Sequence, residues 1–171
     1  MRGLVVTLLS IMCVYSLHAQ EKINWMSWDQ VQAAQKQKPK KVFVDVYTDW
    51  CGWCKKMEAG TFQDQKIVKY LNQNYYSVRY NAEQPATIMF RGKGYKFVGS
   101  GRQGYHELAA HLLQGRFSYP TTVYLDENLD ILSPVPGYLE VPMLSKILHY
   151  FGDGYYLKSD WATFDKAYTA P

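Results

Sequence analysis

The segment that most restricts this chain is Val42-Phe43-Val44-Asp45-Val46-Tyr47, a β-branched and aromatic run that leads through Thr48-Asp49-Trp50 into Cys51-Gly52-Trp53-Cys54. Such a run is short enough to be a strand buried on both faces. Lys55-Lys56-Met57-Glu58 then suits a helix that begins at the first cysteine. Any fold must therefore place two thiols where a buried strand hands over to a helix. Cysteines separated by two residues at a helix start lie about one turn apart, so their sulfurs can close a small ring. The first thiol also meets outward-pointing N–H groups and the positive end of the helix dipole, which lower its pKa and populate the thiolate. This is the chemistry of thiol–disulfide exchange. Half a zinc site and an inert bridge are the bland alternatives. A structural zinc site needs four ligands, and there is no second CxxC. His106 and His111 fall on different faces of a helix expected there. An inert bridge closing so short a loop contributes little through chain entropy. An Asp inside the strand is unexpected.

Composition narrows the class. A chain of 171 residues with 47% apolar and 20% charged residues suits one globular domain. A net charge of +4 without a long basic run excludes an electrostatic footprint for nucleic acid. The third cysteine, Cys13, lies in an apolar run from Leu4 to Leu17 that follows Arg2 and precedes Leu17-His18-Ala19. That layout is a secretory signal peptide over residues 1–19, cleaved after Ala19, and the run is shorter than the roughly 20 apolar residues of a membrane span. Cleavage leaves residues 20–171 as a single domain whose only thiols are Cys51 and Cys54. The expected location is periplasmic or secreted, where disulfides persist, with no stable membrane association.

Local signals mark the remaining elements. Ser27-Trp28-Asp29-Gln30 reads as a capping box for a helix from Trp28 to about Gln37 that Pro39 ends. Asp64 to Asn72 reads as a helix and Tyr75 to Asn81 as a strand. Residues 87–98 read as one β-hairpin turning at Arg91-Gly92-Lys93-Gly94, followed by a helix from Tyr105 to about Leu113. Thr121 to Leu125 and Ile131 to Val135 are expected to pair across a turn at Asp126-Glu127-Asn128. Pro142 sits in the first turn of a helix to Phe151, and Ser159 is expected to cap a last short helix bearing Trp161, Phe164 and Tyr168.

These residues together resemble the thioredoxin superfamily over about residues 42–151. The spacing of Asp45 to Cys51 matches the family's buried aspartate, which helps deprotonate the second cysteine. Trp50 matches the tryptophan before the first cysteine and Lys55 the lysine after the second. Arg79 stands where a lysine usually accompanies that aspartate, Tyr119-Pro120-Thr121 resembles the cis-proline element, and Val135-Pro136-Gly137 resembles the final strand and its glycine. The stretch from Tyr47 through Thr61-Phe62 is especially similar to the periplasmic reductase branch, including the C-terminal domain of the thiol:disulfide interchange protein DsbD. The resemblance implies an α/β thioredoxin-like fold with a central mixed sheet flanked by helices. To it are added an inserted hairpin at residues 87–98 and a C-terminal helical extension. It also implies Cys51 as nucleophile, Cys54 as resolving thiol, and Asp45 as acceptor of the Cys54 proton by way of a water. Trp50, Trp53, Tyr119, Pro120 and Gly137 would bind substrate as a flat apolar rim. The partners implied are a disulfide-containing protein and an upstream thiol electron donor, with no cofactor and no metal. Trp53 replaces a common proline, and the dipeptide between the cysteines influences redox potential.

Gly99-Ser100-Gly101-Arg102-Gln103-Gly104 imitates a dinucleotide fingerprint by spacing. The strand before it belongs to the expected hairpin, so the plainer reading is a flexible connection. A rival for the whole chain is a binding or chaperone module on the same scaffold with peripheral cysteines. A pure binder has no need of Cys51, Cys54, Asp45 and Pro120 together.

Overall fold

A computed structural model describes residues 20–99 and 104–169. The leader expected over residues 1–19 and the centre of the glycine-rich stretch lie outside the described residues. Strand β1 (Lys41–Tyr47) is the second of four in a sheet ordered β2-β1-β7-β8, with β2 (Tyr75–Asn81), β7 (Thr121–Leu125) and β8 (Ile131–Pro136). β1 runs parallel to β2 and antiparallel to β7, and β7 runs antiparallel to β8, so the sheet is mixed.

Alternation along β1 builds both layers of the core. Val42, Val44 and Val46 point into one cluster with Trp28 and Val31 of helix α1 (Trp28–Gln37) and Leu108 and Leu112 of helix α4 (Glu107–Leu112). Phe43 points the other way, among Met57 of α2 (Gly52–Ala59), Ile67 and Leu71 of α3 (Gln65–Asn74), and Leu144 and Leu148 of α5 (Val141–Gly152). Asp45 shares the face of Phe43, so a carboxyl projects toward the layer that contains α2. The short helix α6 (Trp161–Ala167) closes this layer with Phe164.

The caps follow local chemistry. Ser27 and Gln30 form the reciprocal capping box of α1, and Asp64 accepts from the N–H groups of Lys66 and Ile67 to start α3. Asp160, not Ser159, caps α6 by accepting from Thr163 N–H at 2.8 Å. A carboxylate immediately before Trp161 offers the better-placed acceptor.

Two corrections concern residues 87–106. The hairpin is shorter than expected: β3 (Ile88–Phe90) pairs with β4 (Lys93–Tyr95), and only Arg91 and Gly92 turn, both at positive φ. Phe97–Val98 forms a separate strand, β5, that pairs with β6 (Tyr105–His106). Helix α4 accordingly starts later, because His106 is consumed as its cap. The His106 ring is buried, with Nδ1 accepting from Leu108 N–H at 3.2 Å and Nε2 at 3.0 Å from Ala86 O. The inserted hairpin is packed into the core: Phe90 meets Trp28 edge-on at 5.0 Å, and both Phe90 and Tyr95 are buried.

A disulfide at a helix start and its candidate redox site

Cys51 is the N-cap of α2, and Cys51 and Cys54 are joined as a disulfide with their Cα atoms 5.3 Å apart. The sequence places the pair there because Asp49 and Trp50 turn the chain out of β1, and the Cys51 N–H donates to Thr48 O at 3.1 Å. Cys54 N–H in turn donates to Cys51 Sγ at 3.1 Å. That contact, with the first turn of α2 behind it, stabilises negative charge on the Cys51 sulfur once the pair is reduced. Cys54 and Met57 form the buried face of α2.

Asp45 is only 2% exposed, and its Oδ1 has no hydrogen-bond partner among the described residues. The register sets it between Arg79 of β2 and Thr122 of β7. Arg79 Nε lies 3.7 Å from Asp45 Oδ2, but the guanidinium makes its two short bonds, both 2.5 Å, to Glu58 of α2. It also lies over the Tyr47 ring, 4.3 Å from the centroid. Burial pushes the Asp45 carboxyl up to about 7, against the pull of Arg79 and with a push from Glu58. A group poised there can take or give a proton near neutral pH.

Glu58 was not singled out by the sequence reading. It sits four residues beyond Cys54, on the same side of α2. Its partner, however, lies on another strand and is brought to it only by the sheet.

Pro120 stands immediately before β7 with a cis peptide bond to Tyr119, and its carbonyl accepts from Gly137 N–H at 2.8 Å. Gly137 has φ +102, a conformation that favours glycine. The loops carrying Tyr119 and Tyr138 are thereby tied side by side. Trp50 and Trp53 stand out from the surface at 63% and 57% exposure. Trp50 meets Tyr119 edge-on at 5.9 Å, and Trp53 lies against Tyr138 at 5.3 Å. The structure thus gathers aromatic side chains at the disulfide, but the rim is not wholly apolar. Trp50 Nε1 donates to Glu83 Oε1 at 2.9 Å, and Lys56 Nζ lies 4.8 Å from the ring centroids of both Trp53 and Tyr138. Lys56, Glu83 and Tyr138 were also missed. Only Lys56, three residues after Trp53 on one helix, left a local signal.

Residues 26–152 match the family described as thioredoxin-like domain. The chain belongs to the thioredoxin-like domain family. Among solved structures, a thioredoxin-fold protein from Helicobacter pylori superposes on this thioredoxin-like chain with a TM-score of 0.57 at 19% identity, covering 75% of this chain and 79% of that one. A DsbH oxidoreductase gives a TM-score of 0.54 at 18% identity, covering 85% of this chain and 92% of that one. These likenesses establish the thioredoxin fold. In sequence, spermatogenesis-associated protein 20 of Rattus norvegicus is 34% identical over 68 residues, 39% of this chain and 9% of that protein. The chain spans about a tenth of the length of the curated relatives it matches.

Proposed function

We propose that this thioredoxin-like chain is an exported thiol:disulfide oxidoreductase that reduces or isomerises disulfides of periplasmic or secreted proteins. The observation that carries the reading is the Cys51–Cys54 disulfide capping α2. The buried Asp45 carboxyl near neutrality and the exposed tryptophans support it, as does the name of the DsbH oxidoreductase among its structural neighbours. Export rests on the leader-like composition of residues 1–19. No helix among the described residues is long and apolar enough to cross a membrane.

In the reducing direction the Cys51 thiolate attacks one sulfur of a substrate disulfide. A Cys51–substrate bond forms, the substrate S–S bond breaks, and the second substrate sulfur leaves as a thiolate that takes a proton. Cys54 gives its proton toward Asp45 and attacks Cys51 Sγ, which restores the Cys51–Cys54 bond and expels the first substrate sulfur as a thiolate that takes a proton in its turn. Two electrons and two protons have then passed to the substrate. An upstream dithiol must return them to the protein for another cycle.

The test is insulin reduction in dithiothreitol. The wild type accelerates it, and equal rates for the wild type and a Cys51→Ser, Cys54→Ser double variant overturn the reading. A titration of the pair against glutathione assigns direction. A potential near about −270 mV marks a reductant and one near about −120 mV an oxidant.

A further inference from the structure

The surface around Cys51 is electrically two-sided, which disulfide exchange alone does not require. On one side the Trp50 indole holds the Glu83 carboxylate, and Asn81 Nδ2 donates to Asp49 Oδ2 at 3.1 Å. Glu83 N–H donates to Asn81 Oδ1 at 2.9 Å, so Asn81 at the end of β2 holds the loops of both acids. On the other side Lys56 Nζ stands 4.8 Å from the centroids of Trp53 and Tyr138. Two rings attract and position that ammonium. Among the described residues Lys56 has no carboxylate partner, whereas Arg79 nearby is neutralised by Glu58. The two aromatic pairs are separate, since no ring pairing among the described residues joins Trp50 or Tyr119 to Trp53 or Tyr138. Trp50 precedes Cys51 and Trp53 follows it in the first turn of α2, so along the chain Cys51 stands between the acidic Trp50–Glu83 pair and the basic Trp53–Lys56 pair.

We propose that these two pairs orient an extended segment of the substrate protein across Cys51 by charge. The favoured segment carries residues of opposite sign on the two sides of the reacting cysteine, its acidic residue toward Trp53, Tyr138 and Lys56 and its basic residue toward Trp50 and Glu83. The inference rests on the exchange reading above and adds the substrate class. Because exposed charges act, the preference is electrostatic in origin and weakens with salt.

The test uses two peptides of identical composition, one with Glu before and Lys after its cysteine and one with the order reversed, each as a mixed disulfide with thionitrobenzoate. Reduced Cys54→Ser protein reacts once: Cys51 thiolate bonds to the peptide sulfur, the peptide–thionitrobenzoate bond breaks, and the coloured thiolate leaves. One order reacts about threefold faster than the other at low salt, the size expected of an exposed ion pair. The difference shrinks toward unity in 0.5 M salt, a concentration chosen because it cuts the Debye length to about 4 Å. Exchanging the charges, Lys56→Glu with Glu83→Lys, reverses the favoured order. The milder Lys56→Gln reduces the preference without reversing it. Each ratio is internal to one protein, so a general loss of activity does not affect it. Equal rates for both orders in the parent, or an unreversed order after the charge exchange, overturn the proposal while leaving exchange intact. Absence of thiolate release above a Cys51→Ser control overturns the exchange reading itself.

Discussion

Replacing Asp45 with Asn tests whether a nearly neutral carboxyl is buried in β1 on the face toward α2. Its carboxyl ordinarily titrates near 3.8 and is pushed up to about 7 by burial in the folded chain. Between these two values the native state keeps a proton that the unfolded chain has released. Stability therefore falls as pH rises through this window and levels off above the folded value. Each unit is worth about 1.4 kcal/mol, so from pH 5 to the folded value the wild type loses about 3 kcal/mol relative to a variant with no titrating group. Arg79 opposes this, but both its terminal nitrogens are committed to Glu58, and its Nε stands 3.7 Å from Asp45. Urea unfolding of the oxidised Asp45→Asn and wild-type proteins at pH 5, 6, 7 and 8 measures the difference directly. The variant gains on the wild type by about 3 kcal/mol across the series, most of it below pH 7. A difference that does not change with pH refutes the raised carboxyl. That flat profile is the outcome expected where Arg79 governs the site and Asp45 is ionised throughout the series. The same variant loses the inflection near neutral pH in the rate of the second exchange step, if Asp45 handles the Cys54 proton.

Glu58→Gln removes a negative neighbour of Asp45 and releases Arg79 toward it, so the Asp45 titration moves to lower pH, as followed by NMR of the carboxyl carbon. The exposed half of the Glu58–Arg79 pair limits the accompanying stability loss to about 1 kcal/mol. Phe43→Ala opens the fully buried centre of the α2 layer, where Phe43 meets Trp25, Phe62 and Tyr124, and costs about 3–5 kcal/mol in urea unfolding. His106→Ala removes the α4 cap and a buried ring together and costs about 2–3 kcal/mol, whereas an ordinary helix-surface histidine would cost almost nothing.

What could be read in advance depended on how far apart the cooperating residues are in the chain. Ser27 and Gln30 meet within one helical turn, and β1, β2 and β7 are runs whose residue types suit burial, so these elements stood out locally. The same holds for Cys51 and Cys54, whose chemistry is set by spacing and a helix start. His106 misled because a histidine before Glu107 and Leu108 reads as helix, and its use as a cap shows only when Ala86 and Leu108 are both beside it. The strand at Phe97–Val98 misled for a related reason, since its partner Tyr105–His106 lies beyond the glycine-rich connection and not across the nearer turn.

Asp45 shows where resemblance reaches and where it stops. A basic residue beside the aspartate was expected, and Arg79 is there by register, Asp45 opposite Arg79. A cation next to a carboxylate ordinarily holds its pKa down. Here the outcome is reversed, because burial outweighs the pull of Arg79, and Glu58, which α2 brings onto the same guanidinium, adds a push of its own. Desolvation then dominates at Asp45, and the carboxyl stays near neutrality with Oδ1 unpaired among the described residues. The identity of the neighbour was legible in the chain, but its electrostatic availability was not. That availability depends on a three-residue geometry spanning β1, α2 and β2, and together with burial it sets the charge of a carboxyl that faces the α2 layer.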